Sequence, residues 1–245
     1  MIVRMRQIWV LIRKNLELYF KKGPVLVFGV LLPVFMIFAW IIGRTISPIQ
    51  LFSGILGMAV FFLGTAISPV IFPWETREKN LEMTISCPIT LLDLILSVTL
   101  SSMIYAVVIT SIIYVFLILL LPISGWITIW FILGDFLLAW ISSSIGSLIS
   151  AIPTDITANI MTISSLIKFP LIFISGIFIP LSQLSPTFFY IALCSPITYF
   201  VDLLQSACGV GLLGIFNDLI ILSIWGIVLF VLGYFLHRHT ILKRL

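Results

Sequence analysis

The stretch LFSGILGMAVFFLGTAISPVI, residues 51–71, holds no charged side chain. As an α-helix rising about 1.5 Å per residue it is about 31 Å long, which matches the hydrocarbon core of a bilayer. On one side lies a polar break, Arg44 to Gln50 with Pro48, and on the other the charged run that begins at Glu75. Five more runs of spanning length flank it, at 24–43, about 95–121, 127–151, 156–179 and 216–236. Their breaks carry turn residues: Pro122 to Gly125, and Pro153-Thr154-Asp155. The expectation is one all-α membrane domain over 1–245 with six transmembrane helices.

Composition supports the same solvent. Of 245 residues, 61% are hydrophobic and 9% charged, against about 45–50% and about 25% in soluble domains. Mean hydropathy is +1.28. A soluble globule of this size lacks the interior to hide so much apolar side chain, so soluble enzymes, disordered chains and nucleic-acid binders are excluded. The pI near 9.1 reflects charge at span ends: Arg4, Arg6, Arg13, Lys14, Lys21 and Lys22 precede the first span, and Arg238, Lys243 and Arg244 follow the last.

Residues 187–212 are apolar but interrupted by Ser195-Pro196, Gly209 and Gly211. Parity decides their path. With six spans both termini are cytoplasmic, and eleven Lys and Arg lie inside against Arg44 alone outside, a strong positive-inside bias. A seventh span reverses the basic tail, so the segment is expected to dip in from the outer face and return.

Residues 4–22 are amphipathic. Met5, Ile8, Trp9, Ile12, Leu16, Tyr19 and Phe20 share an arc of about 120°, with Arg6, Arg13, Lys14 and Glu17 opposite. Such a basic helix suits the membrane interface, and residues 1–23 are read as an interface helix. The other polar island lies between the second and third spans. Five of the eight residues 75–82 are charged, of both signs. With no breaker from 74 to 87 it reads as one short cytoplasmic helix ended by Pro88, whose mixed charge suits docking of a soluble partner. A loop that merely fixes topology is the alternative.

No nucleotide, metal or hydrolase motif occurs, so neither catalytic nor metal-binding residues are expected, and any energy source lies outside this chain. His237 and His239 fall in the basic tail and read as solvated. Cys87, Cys194 and Cys208 read as structural apolar positions, a Cys194–Cys208 disulfide being left open. Ser142, Gly146 and Ser150 put small residues on one helix face for close packing. Pro33 and Pro170 fall inside spans and are expected to kink them. Lys168 and Asp135 lie near mid-span, where ionisable groups need a reason. They are expected to pair, or else to line a substrate pathway.

The run Thr76-Arg77-Glu78-Lys79-Asn80-Leu81-Glu82, followed by Cys87-Pro88-Ile89-Thr90, resembles the coupling-helix segment of ABC type-2 exporter permeases. Ser175-Gly176-Ile177-Phe178-Ile179-Pro180 with Ser185-Pro186, then Ser195-Pro196-Ile197-Thr198-Tyr199 and Asp202, is similar to that family's segment after the fifth span; Gln205 stands where many members carry Arg. The resemblance runs over essentially the whole chain. It implies a half-transporter in the cytoplasmic membrane: two permease chains, identical or not, with separate ATPase subunits that bind ATP and Mg, this chain binding no cofactor. Within the 72–90 coupling segment, Arg77, Glu78, Lys79 and Glu82 then meet the ATPase subunit. Ser175, Gly176, Pro180 and Pro196 mark short outer re-entrant helices within 180–215. The expected cargo is amphiphilic: drug-like, lipid or saccharide-linked. An ion-coupled transporter using Lys168 and Asp135 is the rival, and a membrane enzyme acting on lipids a third class.

Overall fold

The computed structural model describes residues 2–121, 123, 127–154 and 156–241. The expected turn at 122–125 lies almost wholly outside them. So do Asp155, Lys243, Arg244 and the side chain of Arg4.

All regular structure among the described residues is helical. The interface helix α1 is Ile2–Tyr19. The first span, Gly23–Ile41, comprises α2 (Gly23–Leu26), a π-helical turn (Val27–Leu31) and α3 (Leu32–Ile41). Pro33 explains the π turn: it has no N–H to return to Gly29, and the ladder widens ahead of it.

The run at 51–71 is not one helix. It forms α4 (Pro48–Gly64) and α5 (Ser68–Arg77) with a break at 65–67. Pro69 is the cause, since the carbonyl of Thr65 has no N–H four residues on. Ser102 bridges the break, accepting from the Ser68 N–H at 3.3 Å and donating to the Gly64 carbonyl at 2.6 Å. α6 (Asn80–Ile85) follows, then α7 (Leu91–Leu120). α7 starts earlier than expected because Thr90 and Asp93 form a capping box, each side chain bonding the other's backbone N–H.

α8 (Ile127–Ser150), α9 (Thr157–Phe173) and α12 (Ile215–Thr240) complete the traversing helices. α9, at 17 residues, is shorter than the rest. It runs antiparallel to the α4–α5 unit and packs mainly on α5: Phe169 meets Phe62 near the break, and the Ile177 carbonyl beyond α9 accepts from Gln50. Between α9 and α12 lie α10 (Pro186–Ala192) and α11 (Pro196–Ala207), bent by 102° at Leu193–Ser195. Their path follows from α8 and α12, which are parallel: Trp130 meets Phe216, Trp140 bonds the Gly226 carbonyl, and His237 meets the Ser147 carbonyl. Parallel helices need an odd number of crossings between them. α9 supplies one, so α10 and α11 enter and return, as parity required. Among the described residues five helices are long and apolar enough to cross a bilayer, and with the shorter α9 six elements run from end to end of the bundle.

The core sits on α4 and α5, whose most apolar window is 94% buried against 17% for α12. α12 is apolar all round, and Phe216, Ile220, Ile224, Ile227 and Val231 face outward as a lipid-directed surface. The small-residue face of α8 packs as expected. A Cβ on Gly64 comes within 1.9 Å of Ser142 Oγ, and one on Gly146 within 2.0 Å of Ser68 Oγ. Cysteines differ from expectation: all three are free, and Cys87 and Cys194 are exposed.

Candidate coupling site

The charged island is two helices, not one. α5 ends at Arg77, and Lys79 takes φ +56°, the only positive φ at a non-glycine among the described residues. The left-handed turn costs about 1 kcal/mol at a side-chain-bearing residue. It redirects the chain into α6, which packs on α5 and whose Leu81 is buried. Asn80 Nδ2 ties the turn to Glu78 Oε2 at 3.1 Å. Thr84 and Ser86 bond back to the carbonyls of Asn80 and Glu82. Arg77, Glu78, Lys79 and Glu82 are all exposed, with Met83 beside them. They form one compact mixed-charge surface at the basic end of the bundle.

Glu75, one of the five charges in the island, is not on that surface. It is 4% exposed, and its Oε1 accepts from Lys14 Nζ at 2.5 Å and from Tyr19 OH at 3.4 Å. Burial, with Glu75 and Glu78 adding to it, pushes the Tyr19 phenol above its ordinary range, so it stays a neutral donor. Trp74 packs on Tyr19, and Lys22 Nζ lies 4.8 Å from its ring centroid. The interface helix is thereby clamped to the helix that ends in the charged surface. α1 also packs along the first half of α7 through Asn15 to Ser101 and Phe20 to Tyr105. Its apolar arc is shared: Ile12 and Tyr19 face the protein, while Met5, Trp9 and Phe20 stay exposed. From the other side His237 lies tilted against Phe72, ring centroids 4.4 Å apart, and meets the Ser147 carbonyl at 2.9 Å. It is buried, not solvated as its place in the tail suggested; His239 is exposed.

Lys168 and Asp135 are not paired. Lys168 Nζ donates to the Thr65 carbonyl at 3.0 Å, the group orphaned by Pro69. Asp135 Oδ1 accepts from Thr110 Oγ1 at 2.8 Å. Both are 1% exposed. Lys168 thus caps the broken end of α4, and each group is satisfied by its own helix neighbour.

At the opposite end, Gly176 takes φ +67°, where its missing Cβ leaves room beside Leu181. Ser175 Oγ bonds the Ile172 carbonyl, closing α9, and Pro180 leads into a 3-10 turn at Leu181–Gln183. Pro196 starts α11 in the first-turn position where its missing N–H costs nothing. Ser195 Oγ bonds the Leu171 carbonyl. Asp202 accepts from the backbone N–H groups of Leu212 and Leu213, closing the loop before α12.

The model of the ABC-2 type transporter family matches residues 6–208, a range that takes in all but the first four residues of α1, the charged segment of α5 and α6, and the bent pair α10 and α11. No curated protein matches the chain. A six-traverse helical bundle with a clamped amphipathic helix and a re-entrant pair, matched over most of its length by that model, belongs to the ABC-2 type transporter family and is a multi-pass membrane subunit of an ABC transporter.

Proposed function

We propose that this subunit is the permease half of an ATP-driven exporter, with its basic end in the cytoplasm and two permease chains forming the path. A separate ATPase subunit, which binds ATP and Mg, docks on Arg77, Glu78, Lys79 and Glu82. The Lys14–Glu75 bond carries this reading. It joins an exposed charged surface to an amphipathic helix, which is what relaying a push from a docked subunit into the membrane requires. The cargo is amphiphilic, in keeping with the lipid-facing and aromatic cavities at the far end. An ion-coupled carrier using Lys168 and Asp135 gains no support, because each is bonded separately.

The test is charge reversal. Exposed substitutions seldom move stability by more than about 0.5 kcal/mol, so Glu78→Lys with Glu82→Lys, which gives up only the exposed Asn80–Glu78 bond, leaves insertion unchanged and melting temperature nearly so. The double variant loses its co-purifying ATPase subunit. Undiminished association and transport mean that the segment is a topology loop only.

A further inference from the structure

At the end opposite the basic one, a cavity of about 290 Å³ lies between the start of α4, the 3-10 turn and the end of α11. Ile49, Leu181 and Leu212 help make its walls apolar, and Ser47, Gln50, Ser182 and Gln205 are its polar side chains; no ionisable residue lines it. The two amides are pinned. Gln50 Nε2 donates to the Ile177 carbonyl at 3.4 Å, and Gln205 Nε2 donates to Ser53 Oγ at 3.2 Å. Each amide has therefore spent one N–H and keeps a carbonyl oxygen and a second N–H. Gln205 is buried, so its amide is held before any ligand arrives. Mostly apolar walls with a few fixed hydrogen-bonding groups are the common make-up of a small-molecule site.

A second cavity of about 440 Å³ adjoins it. Met36, Trp40, Phe173, Phe178 and Ile179 line it, with the exposed Arg44 at its rim. Ile179 lines this cavity and its neighbour Pro180 lines the first. One short stretch of backbone thus separates a hydrogen-bonding chamber from an apolar, aromatic one.

We infer that the amide-lined cavity binds the uncharged, hydroxyl-bearing headgroup of an amphiphile, such as a saccharide, whose apolar chain occupies the adjoining aromatic cavity. The inference rests on the exporter reading and names the substrate class for it. A charged headgroup in the first cavity finds no counter-charge and pays for lost hydration. A hydroxylated one exchanges water for the Gln50 and Gln205 amides, which present both donor and acceptor to each hydroxyl. Two further hydroxyls, Ser47 and Ser182, widen the set without adding charge.

The test needs no ATPase subunit, so its failure is distinguishable from failure of the exporter reading, which the co-purification assay judges separately. The full chain in lipid nanodiscs is photolabelled with three probes that share one diazirine-bearing dodecyl tail and differ in headgroup: maltoside, sulfate and trimethylammonium. Labelling of peptides covering 173–182 is divided by labelling of α12, whose lipid-directed face corrects for partitioning. The maltoside probe gives the highest ratio. Gln50→Leu with Gln205→Leu lowers it about tenfold, the loss expected for two or three hydrogen bonds. Ser182→Phe sits at an exposed position, fills the cavity without touching the Gln205–Ser53 bond, and lowers it as well. Equal ratios for all three headgroups overturn the inference. So does a maltoside ratio that both variants leave unchanged. A sulfate ratio that is highest and lost in Arg44→Gln also overturns it, since the site is then an anion site at the rim.

Discussion

Glu75→Gln keeps the shape of the clamp between interface helix and coupling segment and removes its charge. The glutamate side chain is 5% exposed and its partner Lys14 32% exposed. An exposed ion pair is worth about 0.2–1 kcal/mol, and breaking a fully buried one costs about 3–5 kcal/mol. With one partner buried and the other able to turn to water, the cost falls between, at about 1–3 kcal/mol. Lys14→Met alone strands a buried carboxylate that keeps only Tyr19 as its side-chain donor, so it is the more damaging of the two. In the double variant neither charge is stranded, and the two losses are less than additive by about 1–2 kcal/mol. Denaturant titration of the permease in mixed micelles, run on all four members of the cycle, measures this. In the reconstituted transporter, Glu75→Gln retains the ATPase subunit, because Arg77, Glu78, Lys79 and Glu82 are untouched, but transports less per ATP. A coupling energy within about 0.3 kcal/mol of zero, the scatter for independent sites, refutes the clamp. So does full transport in the double variant.

Other outcomes follow from packing and hydrogen bonding. Lys168→Met and Asp135→Asn, measured singly and together by the same titration, add within about 0.5 kcal/mol because they share no partner; a rescue in the double variant restores the ion pair that the structure lacks. Gly64→Ala drives a Cβ to 2.8 Å from Ser142 Cβ and destabilises by about 1–3 kcal/mol, whereas Gly23→Ala, with nothing within 4 Å, leaves the midpoint within 0.5 kcal/mol as a rough bound. Asp218 is buried, and its carboxyl faces that of Asp202. Asp218→Asn supplies an N–H to that carboxylate, so thermal stability holds or rises, while Asp202→Asn, which weakens the caps on Leu212 and Leu213, lowers it.

The spans were legible because bilayer crossing demands only length and apolarity, which the runs at 51–71 and 216–236 announce alone. The re-entrant pair was legible because Ser195-Pro196 breaks it and the charge balance forbids a seventh crossing. What escaped was decided by partners distant in sequence. Lys14 and Glu75 lie 61 residues apart, and neither position announces the other. Neither pairing with Asp135 nor a pathway position anticipates the partner of Lys168, which follows from the break at Thr65 that Pro69 marks: an orphaned carbonyl, not a carboxylate, is what the ammonium meets. The turn at Lys79 had no glycine or proline to signal it, so two helices read as one. His237 looked solvated by composition, yet α8 and α5 enclose it.

The central claim is that a separate ATPase subunit docks on the Arg77–Glu82 surface. A photo-crosslinking residue placed at position 79, and in a second protein at position 216, tests it in intact membranes, with captured polypeptides sequenced by mass spectrometry. Position 79 captures a soluble subunit carrying a phosphate-binding GxxxxGK[ST] loop, and position 216 captures only lipid or membrane protein. No nucleotide-binding subunit at position 79, or the same subunit at both positions, contradicts the account.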